Sequence, residues 1–186
     1  MLPEFPIFTK CSSCNTLFKI TKKIVSEEER RMGTSRSKRK YPFVRFLAID
    51  DYIRAIEDGL CNSKPRGSKQ FNAEVLELRL LLWRAFNDRF RDYSSYVVRG
   101  VDAEAITDPR YLDNCRAILS EMPEEGARDS NLLTLAEIHR NLGEFDECVR
   151  LLGRIADKDR FKHYISTFME QCAGKSTKTV EVAIPG

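Results

Sequence analysis

Residues 128–157 read RDSNLLTLAEIHRNLGEFDECVRLLGRIAD and carry the sharpest pattern in the chain. Leu132, Leu135, Ala136, His139 and Leu142 recur at the three- and four-residue spacing of one helix face. Gly143 interrupts the series, and Phe145, Cys148, Leu152 and Ile155 resume it. The reading is helix, turn, helix, and its neighbours extend it in both directions. On the C-terminal side, Asp159 is placed to cap a helix with Phe161, Tyr164, Ile165, Phe168, Met169 and Cys172 along one side, which would cover the exposed face of the pair. On the N-terminal side, Thr107 or Asp108 with Pro109 starts a helix through Tyr111, Leu112, Cys115, Ile118, Leu119 and Met122, ended by Pro123 and Gly126.

Further back, the segment from about Asn72 to Arg91 carries Val75, Leu76, Leu78, Leu80, Leu81, Leu82, Trp83, Ala85, Phe86 and Phe90. A helix that is apolar around most of its circumference is expected to be central and buried. Arg79 and Arg84 interrupt that run, and Asn87, Asp88 and Arg89 gather at its end. Buried arginines require partners, so Arg79, Arg84, Asn87, Asp88 and Arg89 are the candidates for binding a partner, with a structural ion-pair network as the competing explanation. The first helix is expected through Tyr52, Ile53, Ile56 and Leu60, with Asp50 or Asp51 as its cap and Gly59 near its end.

The 128–157 stretch resembles one tetratricopeptide repeat. In that family a helical hairpin places a small residue in its first helix, Gly at the turn, an aromatic just after it, and a small residue where the second helix crosses the first. Ala136, Gly143, Phe145 and Cys148 stand at those positions, with Cys148 for the usual Ala and His139 for the usual aromatic, and the terminal Pro is absent. The resemblance covers about thirty residues. It implies a mainly α fold of tetratricopeptide-like hairpins stacked as an α-solenoid fragment, and a groove for a protein or peptide partner. On such a packing face His139 reads as a core histidine, and His163, beside the last apolar stripe, reads the same way.

Residues 5–20 read as strand, tight cysteine turn, strand, a small β-hairpin of zinc-knuckle type. Cys11 and Cys14 are the metal-ligand candidates for Zn2+, and Asn15 tolerates the left-handed conformation such a turn needs. Structural zinc takes four ligands, yet no second Cys-x-x-Cys exists, and Cys61, His139 and His163 are scattered. Three readings stay open: zinc completed by distant residues or by a second copy in a homodimer, a metal-free turn, and a thiol redox pair. The last is least favoured, because Thr16 to Ile20 reads as a strand where a redox motif would open a helix.

Charge is uneven. Residues 1–45 hold 11 Lys and Arg against 4 acids, and residues 46–186 hold 20 against 24. The basic excess runs through a Gly, Ser and Thr stretch without hydrophobic periodicity, a linker or loop. Arg36, Lys38, Arg39 and Lys40 are its polyanion-binding candidates, and nucleic acid is the partner they suggest. The competing reading is a solvated loop, since no interleaved aromatics offer bases a platform.

A chain of 186 residues, 42% hydrophobic and 32% charged, has material for one domain with an appendage and is neither collagenous nor mostly disordered. The expected division is 1–25 as the Cys-x-x-Cys hairpin, 26–45 as the basic linker, 46–175 as the helical domain and 176–186 as a tail or short strand. No apolar run nears the ~20 residues of a membrane span and no signal peptide opens the chain, so a cytoplasmic protein with no membrane partner and six reduced cysteines is expected.

Together, Cys11-Ser12-Ser13-Cys14, the run from Trp83 to Arg91 and the late repeat resemble an uncharacterised group of bacterial cytoplasmic proteins that join a Cys-x-x-Cys start to a tetratricopeptide-like end. No Ser/His/Asp set, phosphate-cradling Gly loop, helix-borne His pair or convincing pair of carboxylates marks an enzyme. The expected function is therefore non-enzymatic: an adaptor or scaffold, with immunity or inhibitor roles included, that binds a partner through its helical groove. The alternative is a zinc-dependent nucleic-acid-associated module using the basic segment 30–45.

Overall fold

The computed structural model describes residues 8–10, 17–19, 48–60, 65–88, 107–180 and 182. The protein is mainly helical. Two short strands, β1 (Phe8–Lys10) and β2 (Leu17–Lys19), pair antiparallel with Phe8 opposite Lys19. Six helices follow among the described residues: α1 (Ile49–Asp58), α2 (Lys69–Asp88), α3 (Pro109–Glu121), α4 (Asp129–Asn141), α5 (Phe145–Arg154) and α6 (Lys158–Ala173). None is long and apolar enough to cross a membrane. The chain divides into two compact units, Met1–Ala85 and Phe86–Gly186, a division that falls inside the 46–175 segment.

In the first unit, α1 buries Tyr52 and Ala55. Its cap is not an aspartate: Ala48 holds the cap position, and Asp51, one turn in, accepts the Ala48 N–H at 3.2 Å. The cap expected at Asp50 or Asp51 is thereby moved, since a carboxylate at the third helical position reaches back to the cap amide. Helix α2 begins earlier than its apolar run, at Lys69, because the Ser68 hydroxyl accepts the Phe71 N–H at 3.1 Å. Leu78, Leu82 and Trp83 are buried, whereas Val75, Leu76, Leu80, Leu81 and Ala85 are half-buried.

The second unit is built around α4. Leu132, Leu135, Ala136 and Ile138 turn inward, and α5 answers with Cys148, Leu151 and Leu152, followed by Ile155; all are buried. Ala136 and Cys148 are both fully enclosed, as expected where two helices approach closely. The turn between them is a Schellman close: the Gly143 N–H donates to Arg140 O at 3.0 Å and the Glu144 N–H to His139 O at 2.9 Å. Gly143 has φ +80, the left-handed conformation that motif needs.

Helix α3 opens on Asp108, whose carboxylate accepts the Arg110 N–H at 3.0 Å, with Pro109 in the first turn. It buries Tyr111, Cys115 and Ile118. Helix α6 buries Phe168 and Cys172. Its cap is Asp157, which accepts the Arg160 N–H at 3.1 Å, while the expected cap Asp159 lies within the first turn. Asp129 at the start of α4 reaches the same junction, accepting the N–H groups of Ala156 at 3.1 Å and Asp157 at 2.8 Å. Lys158 Nζ donates to the carbonyls of Leu152 and Gly153 at 2.8 Å and so closes the end of α5.

Candidate functional site

Leu132, Ala136 and Arg140 lie four residues apart, on one face of α4. The first two are core residues, so the third is carried into the core as well: Arg140 is 0% exposed. A buried guanidinium must find acceptors. Arg140 Nη1 donates to the main-chain carbonyls of Ser176 at 3.1 Å and Lys178 at 2.6 Å. Nη2 donates to Asn141 Oδ1 at 2.9 Å, and the Phe168 ring lies 5.3 Å from Cζ. Nε is buried with no hydrogen-bond partner among the described residues. Burial pulls the Arg140 pKa below its ordinary value, the field of Glu137 opposes that pull, and arginine stays charged. Its place in the last turn of α4, where the carbonyl ends gather, favours the cation.

The segment Ser176–Lys178 that meets Arg140 is irregular and follows α6 directly. Both carbonyls accept from the same nitrogen, Nη1, so one guanidinium serves both. The segment is held at one further point, where Thr179 Oγ1 donates to Asn87 Oδ1 at 3.2 Å, and the Thr177 methyl lies over Gly143.

Asn87 closes a polar circuit within the second unit. The Tyr111 hydroxyl donates to Asn87 Oδ1 at 3.2 Å and accepts from Asn141 Nδ2 at 2.7 Å, and Asn141 Oδ1 returns to Arg140. Tyr111 stands edge-on to Phe86, ring centroids 5.4 Å apart, which fixes the hydroxyl. Arg140, Asn141, Tyr111, Asn87 and Thr179 therefore form one chain of hydrogen bonds that begins and ends on the 176–180 segment.

Of the expected partner-binding residues whose side chains are described, Asn87 belongs to this circuit. Arg84 is exposed and Arg79 half-buried, contrary to the expectation of buried arginines. The reason is register: Leu78, Leu82 and Phe86 share the inward stripe, and Arg84 falls on the opposite side of α2. Asp88 is the last residue of α2, its side chain outside the described residues, as are Arg89, the metal candidates Cys11 and Cys14, and the polyanion candidates Arg36, Lys38, Arg39 and Lys40. His139 lies largely within the packing face, its side chain 12% exposed, and Nδ1 lies 2.6 Å from Glu144 Oε2 across the turn.

Burial pushes the Cys115 thiol up to about 12, and burial with the adjoining Cys172 pushes Cys148 up further, so neither offers a thiolate at neutral pH. Among the described residues no group of three or more His, Cys, Asp and Glu side chains could hold a metal ion. On the surface, Glu124 accepts from Arg150 at 2.8 Å and Arg154 at 2.6 Å, an exposed ion-pair cluster that ties the loop after α3 to α5. Set against family models, curated proteins and solved structures, the chain matches none of them.

Proposed function

We propose that the protein is a non-enzymatic interaction module, an adaptor or scaffold with immunity and inhibitor roles included, whose helical body takes an extended peptide segment of a partner. One observation carries the reading. The Arg140 end of α4 already holds an irregular segment of this chain by its main-chain carbonyls, at 2.6 and 3.1 Å. A helical surface that captures backbone in cis is equipped to capture backbone in trans. The α4–α5 pair with Gly143 at its turn supports the tetratricopeptide-like, solenoid-fragment reading, along the lines of the bacterial cytoplasmic group the sequence resembles. In-cell photo-crosslinking from positions 84 and 144, both exposed, tests the function. The expected result is an adduct with a discrete polypeptide from at least one position. Absence of any adduct from either position, in a strain where the protein is folded and abundant, counts against it.

A second reading rests on the antiparallel pairing of β1 and β2, which flank Cys11 and Cys14 in sequence. That pairing supports a zinc-ordered hairpin, with Arg36, Lys38, Arg39 and Lys40 tracking phosphate of a nucleic acid. Elemental analysis of the purified protein and of a Cys11→Ser/Cys14→Ser variant tests the metal. Half a zinc per chain would mean a site shared in a homodimer, and none in either protein would sink the zinc hairpin. Nucleic-acid binding that does not weaken with added salt would sink the phosphate reading.

A further inference from the structure

We infer that Cys148 of α5 and Cys172 of α6 are a dithiol pair, which a small disulfide oxidant such as oxidised glutathione joins into a disulfide between the two helices.

The pair is a product of the packing. Cys148 sits at the close approach of α5 to α4 and is 0% exposed, and Cys172, in the last turn of α6, is 7% exposed. Helices α5 and α6 pack directly on each other, and the Cys148 S–H donates to the Cys172 sulfur across that interface. Thiols already in contact have only to close from hydrogen-bond separation to an S–S bond of about 2 Å. The third buried thiol differs, since the Cys115 side chain bonds to that of Tyr111 one turn earlier on α3. Arg140 belongs to the same cluster. Its guanidinium lies against Phe168, one turn before Cys172, and its field favours the Cys148 thiolate in opposition to burial.

Access comes from the end of α6. The helix finishes in a Schellman close like that of α4: the Lys175 N–H donates to Cys172 O at 3.0 Å and the Ser176 N–H to Gln171 O at 2.9 Å, with Lys175 in the left-handed position at φ +49. Helix ends open at lower cost than helix centres, so Cys172 meets the oxidant first and the enclosed Cys148 resolves.

The Cys172 thiolate attacks one sulfur of oxidised glutathione; a mixed disulfide forms, the glutathione S–S bond breaks, and the departing glutathione thiolate takes up the proton. The Cys148 thiolate then attacks the Cys172 sulfur and expels the second glutathione, which takes up the second proton. Two protein thiols are oxidised and one glutathione disulfide is reduced. Burial holds the Cys148 thiol protonated while the interface is closed, so exchange runs at the rate at which α5 and α6 part. Once made, the bond constrains the unfolded chain and raises the urea midpoint.

The test uses the full chain carrying Cys11→Ser/Cys14→Ser, so that the N-terminal cysteines consume no oxidant. It is held in oxidised glutathione just below its urea transition, where the protein is folded and opening is frequent. Trypsin then leaves Cys115, Cys148 and Cys172 on separate peptides, Tyr111 to Arg116, Asn141 to Arg150 and His163 to Lys175. The reference is the same reaction in full urea, where the 115–148 and 148–172 loops close at similar cost. The expected result is a ratio of 148–172 to 115–148 cross-link about tenfold or more above that reference. In Cys148→Ala the reaction should stop at a mixed disulfide of Cys172 with glutathione. A ratio no higher than in the unfolded chain, glutathione adducts without the cross-link, or thiols left unchanged would overturn the pair. An unmodified Cys172 in Cys148→Ala, where the parent chain does close, would overturn the order of attack.

Discussion

The buried guanidinium of Arg140 donates to the main-chain carbonyl of Lys178 at 2.6 Å, so a charge in the last turn of α4 holds backbone 38 residues later in the chain. That bond organises the polar interior of the second unit, and its removal is expected to be felt there first. Arg140→Gln keeps polarity but loses the fork, and Arg140→Lys keeps charge but reaches fewer acceptors. Each should lower unfolding free energy by about 2–4 kcal/mol, the scale of one or two charge-assisted hydrogen bonds in the interior. Urea unfolding followed by circular dichroism measures it, and an unchanged midpoint in both would remove Arg140 from the account.

The two Schellman turns make opposite predictions. Gly143→Ala places a side chain at φ +80, with ordinary contact to Thr177, and should destabilise by about 1–2 kcal/mol through backbone strain. Lys175→Gly relieves the same kind of strain at φ +49 and should be neutral or stabilise by up to about 1 kcal/mol. Thermal melts of the two variants should move in opposite directions or, at least, only the first should fall.

Acid should weaken the second unit through identifiable carboxylates. Backbone hydrogen bonds from Asp157 and Ala156 hold the Asp129 carboxyl below its ordinary value, and hydrogen bonding by Arg150 does the same for Glu124. A carboxylate with a lowered folded-state pKa contributes stability above its unfolded pKa and loses it as pH falls through the folded one. Stability should therefore be flat near neutrality and drop below the ordinary carboxylate range of about 4. In Asp129→Asn that acid slope should be shallower, as measured by denaturant midpoints across pH. An identical slope would place the acid sensitivity elsewhere.

Cys115, Cys148 and Cys172 should be inert in the native protein. All three are buried, and burial keeps the Cys115 and Cys148 thiols protonated. Alkylation followed by peptide mapping should label these positions only at the rate of unfolding. Fast native-state labelling of Cys148 would mean that the α4–α5 interface opens locally.

Much of the helical body could be read from spacing alone. The period around Gly143 predicts α4 and α5, and Pro109 after Asp108 predicts the start of α3. Caps were less legible: Asp157 and Asp159 are equally good residues two positions apart, and only backbone geometry decides which amide meets a carboxylate. The site was missed for a different reason. An arginine in a helix is ordinarily solvated, and in the sequence Arg79 and Arg84 stand out because they interrupt a long apolar run. The signal for Arg140 was present in the Leu132, Ala136, Arg140 stripe, which places it on the core face of α4. What no local pattern could supply was its acceptor, because carbonyls of an irregular segment carry no side-chain signature. Asn87 belongs to a polar cluster legible at the end of α2, but its partners Tyr111 and Thr179 lie 24 and 92 residues away, beyond the reach of periodicity.

The central claim is that the body of the second unit holds the segment after α6 through Arg140. Its most direct test is the nuclear Overhauser contact between the Thr177 methyl and the Gly143 α-protons, measured in the wild-type protein and in Arg140→Lys. The account predicts a clear contact in the wild type that weakens or vanishes when the guanidinium is replaced while the helices remain folded. A contact equally strong in both proteins, or absent from the wild type, would contradict it.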